Sequence, residues 1–180
     1  NSVSGALALS TLIHLNKYAC LVLIVIIQIV VALYGHNLVH LFEKVVFPLL
    51  VISFGLGAIW TLSKGHYTGL KQLPFTQGGI GGFTLTLGAT FGYAAGWNPY
   101  AADYTRYMKP DSSKSATAWW SGLGVALSCI VLEIVGAASA TISGASGLDG
   151  PSAFVHPYPT VVRDLVLLSI AVGAIAANAI

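Results

Sequence analysis

The chain has 180 residues, of which 56% are hydrophobic and 8% are charged, and its formal net charge is +2. Because soluble domains carry about 25% charged residues, this composition excludes an ordinary water-soluble globule and indicates a protein embedded in a lipid bilayer. The small net charge does not indicate a nucleic-acid partner. Cys20 and Cys129 each lie in an apolar run, so a disulfide framework is not predicted. Both ends of the chain lie in apolar sequence, which we interpret as an internal part of a longer polytopic protein.

Apolar segments alternate with polar connections and predict an all-α, polytopic bundle of transmembrane helices. A helix needs about 20 mostly apolar residues to cross the hydrocarbon core. We predict one transporter domain over residues 1–180, with spans at residues 1–13 (partial), 19–34, 45–62, 79–107 (broken), 116–142 and 165–180 (partial). Residues 35–44 are expected to form an interfacial loop or a short amphipathic helix. Pro48 would then lie in the first turn of its span, where proline is tolerated.

The span over residues 79–107 is predicted to be interrupted. Gly92 and Gly96 each lower helix propensity by about 1 kcal/mol, and Pro99 removes a backbone donor and moves Asn98 away from helical dihedrals. Backbone groups freed inside a membrane are tolerated where they line a cavity, and broken helices in transporters present such groups to substrates. The interruption therefore predicts a binding site, with Tyr93, Trp97 and Asn98 at the same depth. A kink that only packs against neighbouring helices is the alternative.

Three charged residues are candidates for a functional role. Glu133 lies within a span, where a carboxylate costs roughly 2.5–3.5 kcal/mol on insertion scales. It is a candidate proton carrier for ion coupling, or a protonated acid bonded to a neighbouring helix. Asp103 and Arg106 lie at a membrane edge, where they would form a gate contact or an ion pair that anchors the end of the broken helix.

The remaining polar residues do not predict an enzyme or a metal site. His36 and His40 have the i,i+4 spacing of a helical metal pair, but a third ligand would have to come from Glu43, so interfacial packing is the favoured interpretation. A membrane enzyme would need a nucleophile–base or metal constellation at one depth, and the sequence contains no such pattern. We predict no cofactor.

Two segments resemble a known family. Residues 93–107, Tyr-Ala-Ala-Gly-Trp-Asn-Pro-Tyr-Ala-Ala-Asp-Tyr-Thr-Arg-Tyr, resemble the sixth-helix signature of the purine/cytosine permeases of the nucleobase–cation symporter family. Residues 35–44, Gly-His-Asn-Leu-Val-His-Leu-Phe-Glu-Lys, resemble that family's loop between helices four and five. The resemblance covers essentially the whole chain and implies a partial five-plus-five inverted-repeat fold, from the end of helix three to the start of helix eight. It also implies that residues 35–44 and 106–114 are cytoplasmic.

The function implied by the resemblance is secondary active transport of a nucleobase, cytosine or a purine, across the plasma membrane. Transport would be ion-coupled symport with alternating access, and the partners would be the small-molecule substrate and the lipid bilayer. The alternatives are a transporter of the same fold for allantoin, hydantoin, thiamine, uracil or an amino acid, or a transporter-like receptor that binds substrate without carrying it. No oligomeric state is predicted.

The resemblance also implies a set of substrate-binding residues. The family's third helix carries a substrate-binding amide that corresponds to Asn1, and its eighth helix carries an Asn that corresponds to Asn178. Because these helices are equivalents in the two repeats, we expect the two amides to face one pocket. In the broken helix we place Ala94 and Gly96 against the substrate, flanked by Tyr93 and Trp97 and with Asn98 beside them.

The coupling ion is left undetermined between H⁺ and Na⁺. Sodium-coupled relatives tend to place two hydroxyl residues five and six positions before the eighth-helix Asn. Those positions are Gly173 and Val172 in this chain, and Ser169 lies further back. This departure counts against a sodium site on that helix.

Overall fold

The computed structural model describes residues 1–34, 36–66, 75–96, 105–142 and 150–178. Every regular element in these ranges is a helix, which confirms the predicted all-α class. The seven helices are α1 (Ser2–Ile13), α2 (Lys17–Leu33), α3 (His36–Lys64), α4 (Phe75–Gly96), α5 (Lys114–Ser139), α6 (Pro151–Val155) and α7 (Thr160–Ala176). Two stretches of the described helices, Leu38–Lys64 and Lys114–Ser139, have the length and apolar composition needed to cross a membrane.

The chain divides into two compact units. One comprises Asn1–His66 and Val135–Ile180, and the other comprises Tyr67–Ile134. The first contains α1, α2, α3, α6 and α7, and the second contains α4 and most of α5. Within the first unit α7 is the central helix, because it packs against each of the other four.

The contact between α1 and α7 depends on small residues. A methyl group added at Gly5 would lie 2.6 Å from the Cβ of Ala174 and 3.5 Å from the carbonyl oxygen of Ala171. Ala6 and Ala8 are both buried in the same helix. Small residues allow helix backbones to approach closely where there is no hydrophobic driving force between helices. The two helices therefore approach each other closely at Gly5 and Ala174.

The contact between α3 and α7 is antiparallel and contains two buried hydroxyls. A Cβ at Gly173 would lie 3.3 Å from the Leu50 side chain, and a Cβ at Gly57 would lie 3.3 Å from the Val166 side chain. Ser53 on α3 and Ser169 on α7 lie between these two contacts in sequence. Both are fully buried, and within the described residues neither hydroxyl has a hydrogen-bond partner.

Of the two predicted alternatives for residues 35–44, the structure shows a helix from His36, and it corrects the predicted separation of this helix from the span that follows. The helix begins at His36, so residues 36–44 continue directly into it and Pro48 lies in the helix interior. The reason is apolar periodicity: Val39 and Val46 are buried, and Phe42 packs against the cluster around Ile24. These three residues recur at spacings of three and four, which places them on one helix face. The polar residues between them do not interrupt that face.

The structure describes only the first part of the predicted interruption. Helix α4 (Phe75–Gly96) includes Gly92, so the expectation that Gly92 helps to break the helix is wrong. A single glycine lowers propensity by about 1 kcal/mol, which does not end a helix of this length. Trp97, Asn98 and Asp103 lie outside the described residues.

Candidate functional site

The two predicted amides, Asn1 and Asn178, lie side by side. The Nδ2 of Asn1 donates to the Oδ1 of Asn178 at 3.3 Å. Asn1 precedes Gly5 by one helical turn, and Asn178 follows Ala174 by one turn. The Gly5–Ala174 contact between antiparallel helices therefore brings the two amides together. Both side chains are exposed at this end of the helix pair.

A continuous row of hydrogen bonds leads from this amide pair into the protein. The Nδ2 of Asn178 donates to the Oγ of Ser2 at 2.9 Å. The Oγ of Ser2 donates to the Oε1 of Gln28 at 3.1 Å. The Nε2 of Gln28 donates to the carbonyl oxygen of Ala174 at 2.9 Å. Three helices, α1, α2 and α7, thus meet through one polar network whose inner member, Gln28, is 7% exposed.

Ser2 and Gln28 were not among the predicted site residues. A signal for Gln28 was present in the sequence, because it is the single side-chain amide in the apolar segment 19–34. Polar side chains inside membrane segments face other helices or a wet cavity more often than lipid. Which helix Gln28 would face could not be read from that segment alone.

The amide pair has unused hydrogen-bonding capacity. A side-chain amide has two N–H groups and an oxygen with two lone pairs. The bond between the pair uses one N–H of Asn1 and one lone pair of Asn178. The arrangement can therefore offer both donors and acceptors to a planar polar ligand at an exposed surface.

Three of the residues predicted to lie at the interruption are described, and they belong to the second unit. Tyr93, Ala94 and Gly96 occupy the last turn of α4 and are exposed. Their predicted partners Trp97 and Asn98 are outside the described residues.

The charged candidates differ in how much of their surroundings is described. Glu133 is exposed on α5, with no hydrogen-bond or ion-pair partner in the described part of the chain. Arg106 is exposed in the turn that precedes α5. The predicted pair between Asp103 and Arg106 falls partly outside the described residues.

Of the two predicted histidines of α3, His40 forms a local contact, and the side chain of His36 lies outside the described part of the chain. The Nδ1 of His40 lies 3.4 Å from the Oε2 of Glu43, one turn further along the helix. Within the described residues, no group of three His, Cys, Asp or Glu side chains could hold a metal ion.

A Cβ at Gly173 would lie 3.3 Å from the Leu50 side chain on α3, so a hydroxyl residue at this position would need a small shift of Leu50. Ser169 lies one turn earlier on α7 and is fully buried.

Every described element is a helix, and two of the helices are long and apolar enough to cross a membrane. Comparison with known proteins identifies the family. Residues 3–180 match the family described as permease for cytosine/purines, uracil, thiamine, allantoin. The chain belongs to this family of membrane transporters, which confirms the resemblance and shows that its relatives are permeases rather than enzymes.

Individual relatives of the chain are purine-cytosine permeases as well. The purine-cytosine permease fcyB of Emericella nidulans is 28% identical over 142 residues, which are 72% of this chain and 25% of the relative. In Saccharomyces cerevisiae, the purine-cytosine permease FCY21 is 31% identical over 68% of this chain and 23% of its own length. The purine-cytosine permease FCY2 of the same organism is 33% identical over 62% of this chain and 21% of its own length. The chain thus spans about a quarter of the length of the curated relatives it matches. No solved structure matches the chain.

Proposed function

We propose that this chain is part of a secondary active transporter that carries cytosine or a purine across the plasma membrane. Transport is ion-coupled symport with alternating access, and the substrate contacts Asn1 and Asn178. The observation that carries the proposal is the meeting of these two amides at the exposed end of the α1–α7 contact. Membership of the permease family supports the substrate class.

The chemistry of the amide pair suits a nucleobase. The edge of a nucleobase is a planar row of donors and acceptors, and an amide supplies both. A base with the wrong order of groups covers an amide from water without pairing it, which costs roughly 1–3 kcal/mol. That penalty is enough for selectivity among bases. Tyr93, Ala94, Gly96, Trp97 and Asn98 remain predicted substrate-binding residues on the grounds of the family resemblance.

The test is uptake by the full-length permease that contains this sequence. Radiolabelled cytosine, adenine and uracil are offered to cells that lack their own permeases, at several pH values and sodium concentrations. Saturable uptake of cytosine or adenine is expected for the wild type. Dependence on pH or on sodium will identify the coupling ion.

Asn178→Ala tests the amide pair in the same assay. We expect the KM for the preferred base to rise by about 5- to 150-fold, which corresponds to roughly 1–3 kcal/mol for an unpaired polar group. Asn16→Ala is the matched control, because the Asn16 side chain caps α2 by accepting from the Tyr18 amide at 2.8 Å. The control is expected to retain the wild-type KM. Wild-type KM in Asn178→Ala would remove this residue from the site.

A second candidate substrate class comes from the breadth of the family, whose description includes uracil, thiamine and allantoin. These compounds, like hydantoins, also have amide or amidine edges that could bind the Asn pair. Uptake of one of them, without uptake of cytosine or adenine, would favour this alternative. An amino-acid substrate would instead need backbone N–H groups directed at a carboxylate.

A further inference from the structure

The hydrogen bonds behind the amide pair all point in the same direction. Asn1 donates to Asn178, Asn178 to Ser2, Ser2 to Gln28, and Gln28 to a carbonyl oxygen. Amide and hydroxyl groups can in general be reversed, and their orientation has to be inferred from their neighbours. The direction of this row therefore needs a cause.

The cause is the backbone carbonyl of Ala174 at the inner end of the row. A carbonyl oxygen can only accept, so Gln28 must turn its Nε2 towards Ala174 and its Oε1 towards Ser2. The Ser2 hydroxyl has one proton, which it gives to Gln28. Its oxygen must then accept from Asn178, whose Nδ2 faces Ser2 at 2.9 Å. The Oδ1 of Asn178 is left facing Asn1.

Reversal of the row would change what the site offers. In the observed direction, Asn1 donates one N–H to the Oδ1 of Asn178. The Oδ1 of Asn1 remains free to accept a hydrogen bond from a substrate. If Ser2 instead donated to Asn178, the Asn178 amide would turn over and Asn1 would turn with it. Asn1 would then offer N–H groups where it had offered an oxygen.

We propose that Gln28 is a positioning residue that sets the order of donors and acceptors presented by Asn1 and Asn178. It does so through Ser2, without touching the substrate itself. This inference rests on the proposed function and adds to it the source of selectivity among bases. Gln28 suits this role because its side chain is buried and joined at both ends.

The prediction concerns selectivity rather than the amount of transport. Without Gln28, the Ser2 hydroxyl no longer has to donate to Oε1 of residue 28. Ser2 can then either accept from Asn178 or donate to it, so the hydrogen bonds of the row can run in both directions. Bases with opposite edges, such as cytosine and uracil, should then compete more equally. For Gln28→Leu we expect the ratio of their inhibition constants to move towards unity by about tenfold, the size expected for one or two neutral hydrogen bonds.

The experiment uses the full-length permease, with inhibition of labelled uptake by cytosine, adenine, uracil and hypoxanthine. Gln28→Leu, Ser2→Ala and the double variant form a cycle, and surface labelling corrects for the amount of protein in the membrane. If Gln28 acts through Ser2, the three variants should share one selectivity shift instead of adding their effects. Ser2→Thr keeps the hydroxyl and should restore the wild-type ratio.

Thr61→Val provides the control for a general loss of packing. It removes a buried hydroxyl near the C-terminal end of α3, away from the Ser2–Gln28 network. We expect the ratio of inhibition constants to stay unchanged. An unchanged ratio of inhibition constants in Gln28→Leu would overturn the inference, and so would selectivity shifts that add in the double variant. In either case, uptake of a nucleobase by the wild type would still support the proposed function. Failure of the wild type to take up or bind any nucleobase would reject the proposed function, and this inference with it.

Discussion

Single polar side chains define the candidate site, and they differ in how visible they are in the sequence. Asn1 and Asn178 could be identified because a motif resemblance gave each a counterpart. Ser2 and Gln28 belong to the same network, but their roles depend on which helix each one faces. Hydrophobic patterning records that a residue is polar, while the identity of its partner depends on packing.

Gly5 is the residue on which the position of Asn1 depends. In Gly5→Ala the added methyl group would lie 2.6 Å from the Cβ of Ala174, so α1 has to move away from α7. We expect a loss of about 1–3 kcal/mol in stability, typical of overpacking, together with a raised KM, because Asn1 and Asn178 separate. Thermal unfolding in detergent and uptake kinetics measure these effects.

The compensating variant is Gly5→Ala with Ala174→Gly, which moves the methyl group from one helix to the other. It should recover most of the stability and the KM, since the remaining close neighbour is the flexible end of Ile24 at 3.2 Å. If the double variant is no better than Gly5→Ala, the Gly5–Ala174 contact does not set the register.

Glu133 is the candidate for carrying a coupled proton. Gln is neutral at every pH, so Glu133→Gln should abolish accumulation of substrate against its gradient, while exchange of labelled for unlabelled substrate persists. Concentrative uptake and exchange are measured across a pH series. Glu43→Gln is the control, because Glu43 contacts His40 and should leave accumulation intact. Normal accumulation by Glu133→Gln would assign Glu133 to a structural role.

Among the helices, the segment between α6 and α7 packs against the C-terminal end of α3. A 2.7 Å hydrogen bond joins the hydroxyls of Thr61 and Tyr158, and the Trp60 and Tyr158 rings lie 4.8 Å apart. Burial raises the pKa of the Tyr158 phenol above its ordinary value, and the bond to Thr61 offsets part of that rise. The phenol therefore stays neutral and available for this bond at physiological pH.

A double-mutant cycle tests this attachment. Tyr158→Phe and Thr61→Val each remove one hydroxyl, and we expect a coupling of about 1 kcal/mol, the net value of a neutral hydrogen bond. Tyr158→Ala should cost more, about 3–5 kcal/mol, because it also leaves a cavity beneath the Trp60 ring. Unfolding in denaturant with the purified full-length protein supplies the free energies. Additive single effects would show that the hydroxyls act independently.

For the whole molecule, the exposed apolar surface agrees with a membrane environment. Large side chains such as Leu85, Phe91 and Trp119 are each more than 70% exposed. Helix α5 has 26 residues, which gives a length of about 39 Å at 1.5 Å per residue, compared with about 30 Å of hydrocarbon. The length of α5 is therefore sufficient for one crossing.

Cysteine labelling tests this crossing. Asp111 and His156 are both exposed, before and after α5 respectively. With a membrane-impermeant thiol reagent on intact cells, we expect one of Asp111→Cys and His156→Cys to react and the other to react only after permeabilisation. The family resemblance predicts that Asp111 is the cytoplasmic position. The wild type gives the background from Cys20 and Cys129. Labelling of both positions from one side would mean that α5 does not cross.

The helices themselves were predictable to differing extents. Helix α2 could be read from a single apolar run. The start of α3 was missed because the polar residues of 36–44 hid a buried stripe that includes Val39 and Val46. Gly92 was predicted to help break α4, but a propensity cost of about 1 kcal/mol at one residue is smaller than the stabilisation from the other residues of a helix.

Composition, apolar runs and a contiguous motif are local properties, so they were enough to predict a membrane protein, an all-α bundle and the permease family. Through the resemblance, Asn1 and Asn178 were also predicted to face one pocket. The hydrogen bond between the two amides, the participation of Ser2 and Gln28 in the same network, and the orientation of that network by Ala174 became visible only in the folded chain. The reason is that register between helices distant in the chain depends on fit, such as that of Gly5 against Ala174.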